Sequence, residues 1–402
     1  MTADNLLEAG AALLAAWDET AVVHGDDSLA HLDFYLQKNL FSKAAVFTGA
    51  RSADESGAWA ELLAALRYSA CTAMRFNAVP AEPDMETVEA MVEFLRNEQP
   101  DCVIALGGGS VMDAAKAAYA VYQSGLPLAE CFGVNKISNA FPECEFRRII
   151  AVPTTSGTGS ELTQYSNIVN RAGQVKQLIS DPVLVPEMAL LCGRFTYSMP
   201  RSVTLATGCD ALAHLLEGWL NVNADTGNEK INEAARIGVA LLMKYLPVVL
   251  AEPDNKIARK GVQLASALGG MTIRHKSTGL PHLMSFSWFG RIEHGIAAAR
   301  LLPASWRYYA ESERVAQRTL EIGKVLGGDT ADKVIGAYEK LLQHWQVPSL
   351  QSYPELDEEL IKRTCISAGA NRMKLELAPR PVPLADSAEI LEMILRQAME
   401  EN

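Results

Sequence analysis

An apolar run that ends on three glycines and restarts as a helix, LGGGSVMDAAK at 106–116, leaves this chain few ways to fold. KAAVFTG (43–49) and DCVIALGGG (101–109) have the unbroken apolar character of strands buried on both faces, each stopped by glycine. Between them, GAWAELLAALRYSA and METVEAMVEFLRNEQ repeat apolar residues every three to four positions, as amphipathic helices do. RRIIAVPTTSGTGS adds a further strand that runs into a second glycine-rich turn. Strand and helix in alternation predict a parallel sheet covered on both faces. After about Cys192 the pattern changes. SVTLATGCDALAHLLEGWL, NEKINEAARIGVALLMKYL, KIARKGVQLASALGGM, SERVAQRTLEIGKVL, TADKVIGAYEKLLQHW and SAEILEMILRQAMEE all carry helical spacing, with little strand signal between them. The expected architecture is α/β plus all-α, a parallel-sheet domain over 1–192 followed by an all-helical domain over 193–402.

With 402 residues, 49% of them hydrophobic, the chain has enough apolar side chain for more than one core. A net charge of −12 argues against broad binding to nucleic acid or an anionic membrane, which needs a basic footprint. MTADNLLEAGAALLAAWDET has no basic start and no uninterrupted apolar stretch, so it is a poor signal peptide. VALLMKYLPVVLA is too short and too interrupted for a membrane span. The seven cysteines (Cys71, Cys102, Cys131, Cys144, Cys192, Cys209, Cys365) are odd in number and form no CxxC pair. They read as buried thiols in a reducing cytosol. A soluble, cytoplasmic protein acting on a small molecule is expected.

Gly107, Gly108 and Gly109 let backbone N–H groups approach an anion, and the amino end of the helix beginning near Ser110 favours negative charge. A plain strand-to-helix turn uses glycine too, but three in a row before a serine favour a pyrophosphate. PTTSGTGSE (153–161) is a second turn, rich in hydroxyls. Its Thr154, Thr155, Thr158 and Ser160 can serve a phosphate, a ribose or a nicotinamide amide. An acidic residue at the end of the KAAVFTG strand would hold the ribose hydroxyls of NAD and repel the extra phosphate of NADP. VFTGARSADESG instead has Gly49, Arg51 and Ser52 there, and Arg51 can pair with a phosphate. NADP(H) is therefore admitted, and NAD(H) stays open.

Asp210 and His214 sit four apart in GCDALAHLLEGW, so a helix projects both from one face. His282 follows in GLPHLM and His294 in RIEHGIAAARLLP. One carboxylate and three imidazoles can hold a single divalent ion and leave a position open for a substrate oxygen. Taken singly, Asp210 and His214 read better as an intrahelical polar pair and His294 as a helix cap. The combination favours a metal. His24, His31 and His344 have no motif around them.

In this order, GGGSVMDAAK, PTTSGTGSE, GCDALAHLLEGW and GLPHLM…EHGIAAARLLP resemble the iron-activated (group III) alcohol dehydrogenase family. The likeness runs over nearly the whole chain, to ANRMKLELAPRPVPLADSAEILEMIL. It implies a Rossmann-like dinucleotide-binding domain followed by an all-helical one, with metal and substrate in the cleft between them. It also implies Asp210, His214, His282 and His294 as ligands to iron(II), sometimes zinc. Gly107, Gly108, Gly109 and Ser110 would surround the pyrophosphate, with Thr154, Thr158 and Lys176 along the cofactor. The reaction implied is interconversion of a small aldehyde and its primary alcohol by hydride transfer with NAD(H) or NADP(H). A homodimer or higher homo-oligomer is implied as well.

Two departures from that family bear on the substrate. Many members carry a second histidine four residues after the one matching His282; here the position is Phe286, and a phenyl ring cannot relay a proton. Arg274, His275 and Lys276 stand six to eight residues before His282, where the family usually has small or amide residues. On a helix running toward the metal at least one of the three should face the cleft, with His275 or Lys276 favoured over the whole trio. A guanidinium or ammonium there suits sulfonate or phosphonate oxygens. The expected substrate is then an anionic aldehyde such as sulfoacetaldehyde, paired with isethionate, or phosphonoacetaldehyde. An unsubstituted short-chain alcohol, with the trio as a solvated helix end, is the competing reading. A carbon–oxygen lyase resembling dehydroquinate synthase shares the two-domain plan, but the aspartate-plus-three-histidine set argues against it. The retained ligands argue equally against a non-catalytic nucleotide sensor.

Overall fold

A computed structural model describes residues 3–143, 148–224 and 227–400; Cys144, one of the seven thiols, lies outside the described residues. The strands are β1 (Ala21–His24), β2 (Lys43–Gly49), β3 (Thr72–Val79), β4 (Cys102–Gly107), β5 (Gly133–Val134), β6 (Ile149–Pro153), β7 (Tyr165–Asn170), β8 (Val175–Ser180) and β9 (Met188–Leu191). Six of them form one parallel sheet in the order β1-β9-β6-β4-β2-β3. Its central strands are apolar because both faces are covered. Ala45, Phe47, Val103, Ala105, Ile149 and Ala151 join the core on one face. Their alternate neighbours Ala44, Val46, Ile104, Leu106, Ile150 and Val152 join the core on the other.

From β2 the chain goes out to β3 on one side and returns to β4 on the other. The sheet order therefore switches at β2, and a crevice opens between the carboxyl ends of β2 and β4. In register, Thr48 lies beside Leu106 and Gly107 beside Pro153. Gly49, the 107–109 glycines and the 154–158 turn are thereby brought to one edge. β7 pairs antiparallel with β8, and β5 runs alongside β8, in a small second sheet. This hairpin departs from the plain alternation of strand and helix that the sequence predicts. Its cue was YSNIVN and VKQLIS flanking Arg171–Gln174, a turn whose Gln174 has φ 50°.

After β9 every regular element among the described residues is helical. The helices that matter here are Arg201–Leu220, Glu229–Ala251, Lys256–Lys276, Leu280–Ser285, His294–Ala310 and the short Arg372–Glu376. The first helix of the chain, Ala3–Ala15, also belongs to this layer: its Leu6 and Leu14 sit in the helical core. Glu229–Ala251 is longer than its VALLMKYLPVVLA run implied, because the amphipathic NEKINEAAR turns continue into it. At 23 residues it is long and apolar enough by length and composition to cross a membrane. Here it packs against Arg201–Leu220 and Lys256–Lys276 and buries Ile237, Leu241 and Leu242 against them.

Backbone contact locks the sheet layer to the helices. Gly159, in the turn after β6, has φ +61°, and a Cβ at Gly270 would lie 2.3 Å from its carbonyl oxygen. The turn rests directly on the helix Lys256–Lys276, and neither backbone can yield cheaply. Gly270→Ala is expected to cost about 1–3 kcal/mol, read as a lower urea midpoint with an unchanged slope. An unmoved midpoint would show that the contact is loose.

Candidate functional site

The helix Arg201–Leu220 is buried along nearly its whole length, which leaves Asp210 4% and His214 5% exposed. Leu280–Ser285 brings in His282, and His294–Ala310 brings in His294 from its first residue. A Cβ at Gly295 would lie 2.0 Å from the Ala206 carbonyl, so only glycine lets that helix start against Asp210. Asp210 Oδ1 lies 3.3 Å from His282 Nε2, 3.7 Å from His214 Nε2 and 3.8 Å from His294 Nε2. The His214 and His282 rings stack at 4.5 Å, and His294 meets His282 edge-on at 5.1 Å. Ligand atoms of Asp210, His214 and His282 all lie within 4.8 Å of one another, as a divalent ion requires. His294 stands on the open side of that triad, its side chain 27% exposed.

A second carboxylate, which the sequence reading overlooked, orients the set. Glu217 accepts from His282 Nδ1 and from the Gly279 backbone N–H at 2.7 Å. A proton held on Nδ1 turns the Nε2 lone pair toward the other donors, the usual way a carboxylate steers a ligating imidazole. The cue was present in GCDALAHLLEGW: Glu217 is seven residues after Asp210 and three after His214, on the same helical face. Burial alone would raise the Asp210 carboxyl, but the imidazole of His214, then those of His282 and His294, hold it well below the carboxylate range. Burial lowers His214 to about 4 against the pull of Asp210, and lowers His294 as well, so both are neutral at pH 7. Burial also opposes charge on His282, yet Glu217 and Asp210 outweigh it and raise it to about 9. A cation entering there must displace the Nε2 proton, so uptake releases a proton.

Across the cleft, Gly108 caps the helix Gly109–Ser124. A Cβ at Gly109 would lie 2.4 Å from Thr158 Cγ2, and one at Gly108 3.0 Å from Thr155 Oγ1. The glycines thus let the two turns close on each other around the helix amino end. Ser110 and Thr158 line the cleft, while Thr154 Oγ1 is buried without a protein partner, as a hydroxyl reserved for a ligand would be. Ser160 is otherwise engaged, held by Lys116 Nζ at 2.8 Å and by Asp113 at 2.7 Å. Lys176, on β8, lines the same cleft and pairs with Glu82 at 3.1 Å. Gly49, Arg51 and Ser52 lie farther out at the end of β2, where Arg51 is exposed and 3.8 Å from Glu55. The nearby acid, Asp54, is held below its usual range by its hydrogen bonds to Arg75. It is therefore not a free counterpart for ribose.

The basic trio does not face the cleft. Arg274 Nε lies 2.8 Å and His275 Nε2 2.9 Å from the Glu19 carboxylate, and the His275 ring meets Trp17 edge-on. Lys276 is 1% exposed and packs beside Gly218 on the helix Arg201–Leu220. Helical rotation gives the cleft Ile273 and, past the helix end, Thr278. Phe286 does reach the site, stacked on His294 at 6.0 Å. The lysine that lines the substrate side is Lys374, on the short helix Arg372–Glu376. Its Nζ donates to Ser277 Oγ at 2.7 Å and to the Thr278 carbonyl and hydroxyl at 2.9 Å each.

Comparison with known proteins bears on both halves. Residues 19–192 match the family model "Iron-containing alcohol dehydrogenase" and residues 204–395 match "Fe-containing alcohol dehydrogenase family, C-terminal". An alcohol dehydrogenase of Thermococcus barophilus is 30% identical over 346 residues, 86% of this chain and 89% of that protein. The solved iron-containing alcohol dehydrogenase of Thermococcus thioreducens superposes with a TM-score of 0.85 at 25% identity, over 96% of this chain and 100% of its own. A sulfoacetaldehyde reductase from Bifidobacterium kashiwanohense, solved with NAD+, gives 0.80 at 26% identity over 96% and 99%. The likeness extends through both halves and nearly the full length of each relative, and on that ground the chain belongs to the iron-containing alcohol dehydrogenase family.

Proposed function

We propose that this oxidoreductase interconverts a small aldehyde and its primary alcohol with NAD(H) or NADP(H), using one divalent ion held by Asp210, His214, His282 and His294. The observation that carries the reading is the convergence of three Nε2 atoms on one buried carboxylate oxygen, in the same cleft as the glycine-capped helix. When bound, an ion of iron(II) or zinc type supplies charge that polarises a substrate carbonyl, and the nicotinamide supplies the hydride. The chain's own work is placement. Gly107–Gly109 and Ser110 receive the pyrophosphate, and Thr154, Thr155 and Thr158 with Lys176 border the rest of the cofactor. Glu217 fixes the His282 ring, and Phe286 covers His294 with an apolar face that excludes water. In this reading the sheet layer within 1–192, from which the helix Ala3–Ala15 departs to pack with the helices, serves the dinucleotide, and 193–402 serves the metal and substrate. The lyase alternative gives way to family membership.

An anionic substrate remains part of the proposal. It is supported by the likeness to a sulfoacetaldehyde reductase rather than by Arg274, His275 and Lys276, which are turned elsewhere. A cytoplasmic homo-oligomer, most simply a dimer, is proposed from the family and from the six described cysteines, all free thiols.

NADH and NADPH oxidation at about 340 nm, the nicotinamide absorbance, should proceed with short aldehydes. It should stop on chelation and return with iron(II) or zinc; activity indifferent to chelation would sink the metal reading. His282→Ala should lose the ion and turnover while still binding dinucleotide. Glu217→Gln should keep the ion but weaken its affinity about 10- to 100-fold, measured by competition with a chelating dye. Gly49→Asp should lower kcat/KM for NADPH relative to NADH, since a carboxylate repels the 2′-phosphate; an unchanged ratio would place cofactor choice elsewhere.

A further inference from the structure

A lysine buried in a substrate cleft is costly unless its charge is used or paired. Lys374 is 4% exposed and lines the cleft that holds Asp210, His214, His282 and Phe286. Its three donors meet neutral oxygens only, from Ser277 and Thr278. Among the described residues no carboxylate pairs with it directly. Glu217, the acid whose field reaches it, is occupied by His282 and the Gly279 N–H. The other lysine of the cleft, Lys176, is already matched by Glu82.

The oxygens that hold Lys374 are themselves in an unusual place. Ser277 ends the helix Lys256–Lys276 with φ 59° and ψ 155°, a backbone region costly for any residue but glycine. The lysine secures this strained corner from the far end of the sequence and thereby fixes Thr278, which also lines the cleft. The result is an ammonium and a hydroxyl in the cleft that Phe286 also lines.

We propose that Lys374, with Thr278, recognises the negative end of the substrate, making it the specificity-determining residue for two-carbon aldehydes that carry a sulfonate or phosphonate tail. The inference rests on the aldehyde reductase reading above and names the side chain that would select within it. An ammonium held by two hydroxyls and a backbone carbonyl can turn an N–H group to incoming oxygens by giving up a neutral hydrogen bond, without first breaking an ion pair. Arg274 and His275, both engaged by Glu19, cannot do so.

The test is kcat/KM for sulfoacetaldehyde, phosphonoacetaldehyde and butyraldehyde in the wild type and in Lys374→Met, Lys374→Gln and Lys374→Arg. Titration of isethionate into the dinucleotide-loaded enzyme gives a second readout. The wild type should favour one of the anionic aldehydes, and the preferred one tells sulfonate from phosphonate. In the Met and Gln variants the anionic-to-neutral ratio should fall about 30- to 100-fold, mainly through KM, with the isethionate heat lost. Arg should restore most of the ratio. The Gln and Arg variants keep a donor for Ser277 and Thr278, so they carry the comparison if Met does not fold. A wild type that prefers butyraldehyde overturns the proposal, as does a ratio that stays constant while kcat falls for all three aldehydes, the mark of a structural or proton-supplying lysine. Turnover of none of the aldehydes by the metal-loaded wild type would instead sink the parent reading, and this one with it.

Discussion

A carboxylate removed from water must find positive or polarised neighbours, and Asp210 finds three imidazoles. That requirement organises the helical half. The helix carrying Asp210 is buried except at its first turn and along the face that lines the cleft, so the carboxylate can meet solvent only through the cleft. The helix carrying His294 must then come to it, which the missing side chain at Gly295 permits. His282 is set by Glu217 from behind, and Glu217 also takes the Gly279 N–H at the entry to the His282 helix. One buried charge thus dictates where three helices can lie.

The sheet half meets this arrangement through its carboxyl edge. The switch in strand order at β2 leaves room for a ligand, and the two glycine-rich turns close that room from β4 and β6. Lys116 ties the helix that follows the first turn to Ser160, Thr163 and Tyr165 beyond the second, so the cofactor side is braced by a buried cation as the metal side is by a buried anion.

The legible parts of the chain were those whose physics is local. β2, β4 and β6 announce themselves because strands covered on both faces must be apolar throughout. The spacing of Asp210 and His214 places them on one face before any fold is known. The β7–β8 hairpin was passed over because its alternation is short and mixed with polar residues. Helical spacing points at least one of the basic trio, His275 or Lys276 above all, toward the cleft because Glu19, which holds Arg274 and His275 from more than 250 positions away in sequence, is invisible to helical periodicity. Lys374 was missed for the same reason: its oxygens, Ser277 and Thr278, lie almost a hundred positions earlier. Glu217 is different. It stood on a face already identified and was overlooked only because it touches no substrate.

The position of the first helix governs how the two layers are tied together. Because Ala3–Ala15 packs in the helical layer, the polypeptide passes between layers twice, just ahead of β1 and just behind β9. β1 and β9 are neighbours, paired from Ala21 with Met188 to His24 with Leu191, so the two crossings are separated by about one strand length, roughly 10 Å. Two covalent crossings side by side tie the layers together along the β1–β9 edge, and the Gly159–Gly270 backbone contact joins them again at the turn after β6. The cleft is thus framed by two separate attachments of one layer to the other, which hold its two walls in register.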